Sequence, residues 1–567
     1  MVKIKSKIIQ NRHYLLCMLI LTIMMFTVTS CSPIYKTNQW DDTNVSFSIA
    51  RAWMAGVIPY KELFEQRGIL FYCFYLIGAM IDKSSFIGLF VVEVILAIIN
   101  FMGLVRIGRL LSSSYIINYT ALLSVSLFYG SNIFGYGGSP EELIAPFITW
   151  FFYILLKRVY VEKNYIFSTL QFFTIAFLFS IVFWSKFSLT GCFVAFYLFY
   201  SIFTLLNRKF FLLVKMIFLS LAGFLTPVVI PLIVLYFQNA LVPFYNIYFF
   251  DNITKYGLKI PIYIKPFLVV RALGMDIVSH FFITFLLIFS IGYIIVKVEN
   301  KGLKQTRKNK RLGFKEYSSF ELQLICWVVV GQFLGIYFSG KGQWYYYLGI
   351  IALLLPLLSF TLSGLNFEKN VRNYWKSFPL FLVIISIIQL GAGNGNMQNA
   401  IKISDKQSII PTITIGNYIK KHSNTLEPTL IEYNGIDSGF FLHSSTVPRE
   451  RWFEQNNFPL QTFPYSYNGQ LKIIQSKSVQ FVVIRSNERR DFNNQLLVKK
   501  PQKFTNFSWY DLSNAKHTAY VPTILLLNYK LVDTSYASIL GEQTNVLLFE
   551  KRERDLKSLN ELNDEGR

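Results

Sequence analysis

Residues 40–81 read WDDTNVSFSIARAWMAGVIPYKELFEQRGILFYCFYLIGAMI and follow directly on the first apolar run of the chain. The stretch holds paired carboxylates, Asp41 and Asp42, then an amphipathic segment, a Gly-and-Pro turn, and an apolar run, 69–81, that is too short to cross a bilayer comfortably. Carboxylates are costly beside hydrocarbon unless they have a task or a partner, so their position is informative.

The rest of the chain supplies the setting. Of its 567 residues 53% are hydrophobic and 17% aromatic, and only 15% are charged. Ordinary globular and disordered classes fit this poorly, and a polytopic α-helical membrane protein is expected. Runs long enough to span lie near 15–31, 84–105, 113–131, 142–156, 165–184, 187–206, 211–238, 275–296, 317–338, 344–364 and 377–391, which gives about 11 transmembrane helices. Residues 69–81 are read as an interfacial or re-entrant helix on the same side as the aspartates.

With that parity, loops 1–14, 106–112, 157–164, 207–215, 297–315 and 366–376 share one side. They hold 23 Lys and Arg against three acids, and so carry +20 of the net +23. By the positive-inside rule they are cytoplasmic, together with the N-terminus. The run KVENKGLKQTRKNKRLGFK (297–315) is then a solvated loop, and no nucleic-acid partner is expected. Residues 31–83, the turn GSNIFGYGGSPEE (130–142), the loop 239–265, the short SGKGQ (339–343) and everything after 391 face out.

VTSC at 28–31 is laid out like a lipoprotein signal, but a retained first helix is the expectation. The five cysteines fall in or beside apolar segments and give no disulfide or zinc framework. No GxxxxGK[ST], HExxH or GxSxG occurs, and GYGG and GAGNG lack the strand and helix of a phosphate loop.

Past residue 400 the apolar runs shorten to strand length. TLIEYNG, VQFVVIRS, YKLVDTSY and NVLLFEKRE read as strands, and PTITIGNYIKKH as a helix. The organisation expected is a membrane domain over 1–391 with interfacial helices in its first outer loop (31–83), an extracytoplasmic α/β domain over 392–550, and a charged tail, 551–567. The α/β domain is expected to cover the membrane-domain site, to bind an acceptor, or to serve structure alone.

The first outer loop collects Asp41, Asp42, Glu62 and Glu65 with Arg51, Lys61 and Arg67, and the second supplies Glu141 and Glu142. An Asp and a Glu brought together by the two loops would make a general base with an orienting or metal-holding partner. Asp41 also fits a helix start.

The stretch 40–81 resembles the first outer loop of the GT-C glycosyltransferases, the superfamily of the protein O-mannosyltransferases and the lipid A aminoarabinose transferases (family 39-like). Asp42 stands eight residues before Ala50, followed by Gly56, Pro59 and Tyr60, and QRGIL (66–70) stands where that family has Lys-Gly-Pro. It departs in Thr43, Arg67 and Ile69. GGSPEELIAPFITWFFYIL, FWSKFSLTG and SGKGQWYYYLGIIALLLPLL are similar to later elements in the same order, so the likeness runs over about residues 10–365.

The resemblance implies the GT-C fold and a transferase that takes a sugar from a polyprenyl-phosphate donor, with inversion and an Asp base. The acceptor would be a cell-surface wall polymer such as teichoic acid, another polysaccharide, a glycolipid or a protein. Asp42 is the expected base and Asp41 its tuning neighbour; Glu141 or Glu142 would orient the acceptor or, with Asp42, hold a divalent cation, the one cofactor left open. Such a donor needs cations near the interface, and Arg67, Lys186 and Lys341 lie at expected outer helix ends, where snorkelling to headgroups also accounts for them. Tyr60, Tyr345 and neighbouring aromatics fit sugar stacking or an interfacial belt. Two other readings stand beside this one. A ligase or polymerase of lipid-linked polysaccharide would carry a large late outer loop, and a transporter or flippase would carry repeated halves.

Overall fold

A computed structural model of the chain describes residues 2–162, 166–256, 261, 263–309, 318–337, 345–365, 378–393, 411–423, 425, 427–455, 458, 462–486, 488–490, 496–499, 521–539 and 542–552. The chain falls into two units. One comprises residues 1–36, 67–241 and 257–406, the other 37–66, 242–256 and 407–567.

The first unit is helical. Its long elements are α1 (Val2–Val28), α4 (Ile87–Gly108) and α6 (Pro140–Leu156), which a π turn extends to Glu162. At 1.5 Å per residue the 22 residues of α4 reach about 33 Å, enough for a hydrocarbon core. Shorter apolar helices are α3 (Ile69–Ile81), α5 (Ile116–Tyr129), α7 (Thr169–Phe183), α8 (Gly191–Leu206), α15 (Ser318–Tyr337), α16 (Leu348–Gly364) and α17 (Phe378–Gly393). At 13 residues α3 is too short to span, in keeping with its reading from the sequence.

Two apolar runs are broken. Run 211–238 forms α9 (Phe210–Leu225) and α10 (Val229–Phe237), bent by 55° at the Thr-Pro of residues 226–227, where proline removes a helical donor. The run expected to begin at 275 starts inside α13 (Lys265–Ser279), turns by 100° at His280 and continues as α14 (Phe281–Asn309). The loop expected over 239–265 is also largely helical, with α11 (Leu241–Tyr245), a π turn (Asn246–Asp251) and α12 (Asn252–Thr254).

The second unit has a four-stranded sheet in the order β1-β2-β6-β5. β1 (Leu430–Tyr433) runs parallel to β2 (Phe481–Ser486), and β6 (Glu542–Lys551) pairs antiparallel with both β2 and β5 (Tyr529–Ile539). A hairpin of β3 (Glu488–Arg490) and β4 (Leu496–Lys499) lies apart from it. Ile431, Val482, Ile484, Leu547 and Phe549 of the sheet bury against Ile473 and Ile474 of the helix Tyr465–Ser476 and Leu525 of the helix Thr523–Asn528.

The same unit holds α2 (Asp41–Met54), which the sequence reading had left with the membrane domain. Gly56 (φ +88°) ends α2: its N–H bonds Trp53 O and that of Val57 bonds Ala52 O, a closure that needs a left-handed residue just past the helix.

Candidate functional site

In the first unit three residues singled out from the sequence come together. Glu141, in the first turn of α6, is fully buried, and its Oε1 lies 2.5 Å from Lys186 Nζ. Lys186 is 22% exposed and sits over the rings of Tyr346 (4.5 Å) and Tyr345 (5.2 Å). Aromatic faces attract a cation, so two rings and a carboxylate fix this ammonium. The second oxygen of Glu141, Oε2, is buried without a hydrogen-bond partner.

Arg67 reaches the same region through the backbone. The N–H groups of Gly68 and Leu70 donate to Ser185 O (3.2 Å) and Trp184 O (3.0 Å), which fastens the start of α3 to the turn that carries Lys186. Gly68 is required there because a Cβ would stand 2.0 Å from Trp184 O. Arg67 also stacks over Phe71 at 5.5 Å. Lys341 lies outside the described residues.

Glu142 lies beside Glu141 in the first turn of α6. Ser139 Oγ accepts its N–H at 3.0 Å, and its Oε2 accepts from Gly138 N at 2.7 Å, so it ties down the start of α6. It is buried at 1% exposure, as is Glu93 of α4 at 0%, whose Oε2 accepts from Thr29 Oγ1 at 2.7 Å. Sequence reasoning missed Glu93. The signal was a lone acid inside an apolar run, VVEVIL.

Asp41, Asp42 and Tyr60 belong to the second unit. Tyr60 is fully buried at φ +65°, with its ring edge-on to Phe244 at 4.9 Å. Asp41 and Asp42 form the first turn of α2, where negative charge is favourable. Asp41 is buried. Its Oδ2 pairs with Arg485 Nη1 at 2.9 Å and its Oδ1 accepts from Ser438 Oγ at 3.0 Å. Asp42 is partly exposed.

Arg485, at the end of β2, also donates from Nε to Glu432 Oε1 of β1 at 2.8 Å and from Nη2 to Ile436 O. Next to this group, Asp437 accepts from Ser48 Oγ at 2.7 Å and from the Gly439 and Phe440 amides. Arg485, Glu432 and Asp437 were not singled out from the sequence. An Arg ending an apolar strand and a Glu inside LIEY were the available signs.

Burial pushes the Glu432 carboxyl up to about 8 against the pull of Arg485, and it raises Asp41 and Asp437 too. A folded-state value above the unfolded one gives stability that is complete below the unfolded value and lost as pH rises through the folded one. The thermal midpoint of this unit should therefore fall between about pH 5 and pH 8, and Glu432→Gln should flatten the slope in calorimetric scans across that range.

Among the described residues no group of three or more His, Cys, Asp or Glu side chains is placed to hold a metal ion.

No protein-family model matches the chain, and no curated protein matches it. It is similar to two crystal structures of ArnT from Cupriavidus metallidurans, one bound to undecaprenyl phosphate and one in the apo state. Each has 9% sequence identity and a TM-score of 0.50, with 95% of this chain and 97% of the other covered. ArnT is an aminoarabinose transferase of the GT-C superfamily. Among the described residues three helices are long and apolar enough to cross a membrane, or up to five if each bent pair is one span, and the likeness, which covers nearly the whole of both chains, shows that this chain shares that GT-C-like fold.

Proposed function

We propose that the chain is a glycosyltransferase that passes a sugar from a polyprenyl-phosphate donor to a cell-surface acceptor on the outer face of the plasma membrane. The observation that carries this reading is the Lys186 ammonium, fixed by Glu141, Tyr345 and Tyr346, in a fold shared along its length with a protein crystallised with undecaprenyl phosphate. In this reading the basic loops lie in the cytoplasm, about 11 helices span, and the C-terminal domain faces out.

Asp42 accepts the proton of the acceptor hydroxyl as the hydroxyl oxygen bonds the anomeric carbon. The bond from that carbon to the phosphate oxygen breaks, its electron pair leaves with the polyprenyl phosphate, and the configuration inverts. Lys186 and Arg67, with Lys341, meet the charge that builds on the leaving phosphate. Glu141 sets the position of Lys186.

The test is a deletion strain. It should accumulate a polyprenyl-phosphate monosaccharide and lose one sugar from a wall polymer, glycolipid or surface protein, and both changes should reverse on complementation. Accumulation of long lipid-linked chains would point to a ligase or polymerase instead, and unchanged lipid-linked and surface sugars would overturn the reading.

A further inference from the structure

We infer that the C-terminal domain positions the helix that carries Asp42, and that Arg485 is its positioning residue. The inference rests on the proposed role of Asp42 and adds a task for the domain and a residue that performs it.

The argument begins with the sequence of α2. Asp41, Asn44, Ser48 and Arg51 recur at helical spacing and so line one face. Each has a counterpart after residue 435. Asp41 pairs with Arg485 and Ser438; Ser48 donates to Asp437; Arg51 Nη1 donates to Thr446 O at 3.0 Å. Asn44 lies where a Cβ on Gly439 would come within 3.0 Å of its Oδ1. A polar helix face is thus docked over its length on the segment Ile436–Thr446, which is itself held by Arg485 through Ile436 O. The far end of the same stretch is held too, where Arg451 Nη1 donates to the carbonyls of Tyr60 (3.1 Å) and Lys61 (2.6 Å).

Asp42 is one residue, about 100° of rotation, away from Asp41. Whatever fixes the rotation of α2 about its axis therefore fixes the direction of Asp42. The guanidinium suits that task. Its donors form a rigid planar fork, and here three of its nitrogens bind Asp41 on α2, Glu432 on β1 and a loop carbonyl at once. A lysine would keep the charge and lose the angles. Asp41 and Glu432 are buried and the Arg485 side chain is only 17% exposed, so the cost of misplacing these charges is high and one arrangement is favoured. Arg485 does not touch the reacting atoms in this scheme; it acts through Asp41.

The experiment uses the full-length protein in detergent, with hydrogen exchange of residues 41–54 as one readout and turnover of a radiolabelled polyprenyl-phosphate monosaccharide pool from the deletion strain as the other. Arg485→Lys should raise exchange in 41–54 by about tenfold and leave α4 unchanged. It should also lower kcat by up to about a hundredfold, with the donor KM unchanged. Ser48→Ala, which removes one weaker contact on the same face, should move both readouts in the same direction by less, and it serves if the Arg485 variant does not fold. Unchanged exchange in both variants, or raised exchange with unchanged kcat, would overturn the inference. Asp42→Asn separates it from the reading beneath: that variant should lose turnover with exchange at the parental level. Full turnover there would overturn the base assignment, whatever the Arg485 variant does.

Discussion

Asp42→Asn is expected to lower sugar transfer by about 10²–10⁴-fold, the range that a general base contributes. Asn has nearly the shape of Asp, and Asp42 is a partly exposed first-turn residue, so α2 should form as before. The change removes the capacity to take a proton and keeps the size of the side chain. The contrast is Asp41→Asn, which leaves Arg485 and Ser438 facing a neutral amide and should show first as a lower thermal midpoint. Release of polyprenyl phosphate from membranes holding equal amounts of each variant separates the two. Normal release by a stable Asp42→Asn protein would remove Asp42 from the mechanism.

Lys186→Met is expected to be damaging twice over. It removes a cation proposed to face the donor phosphate, and it leaves Glu141 as a buried carboxylate without its partner, a loss on the order of 3–5 kcal/mol when one member of a buried pair is removed. The two effects part in the double variant Glu141→Gln with Lys186→Met. Neutralising Glu141 should return the thermal midpoint most of the way to the parent while donor turnover stays low. If turnover recovers with the midpoint, Lys186 serves stability alone.

The helices of the first unit were legible in the sequence because apolar length is a local property: each of the apolar runs coincides with a helix or a bent pair of helices. The breaks at residues 226–227 and at His280 were not read, since an apolar run looks the same whether its two halves are straight or bent by 100°. The runs read as strands past residue 400 coincide with β1, β2, β5 and β6, whose short β-branched and aromatic character is also local.

The site divides in the same way. Glu141, Lys186 and Tyr345 could be chosen from the sequence because charge and aromatics at the ends of apolar helices are unusual and need a reason. That they meet is a tertiary arrangement, since Glu141 and Lys186 stand 45 positions apart and Tyr345 farther still, and no local pattern announces it. Tyr60 shows the complementary case. Its place after a Pro is visible, but its burial against Phe244 joins residues far apart in the chain.

The opening pair shows the boundary most clearly. The sequence by itself determined that two acids start an amphipathic helix just past a membrane segment, because helix periodicity and the cost of charge near hydrocarbon are properties of neighbouring residues. What engages Asp41 was decided only by the tertiary structure. Arg485 stands 444 positions from Asp41, and only the tertiary fold, with the pairing of β1, β2 and β6, brings its guanidinium to that carboxylate.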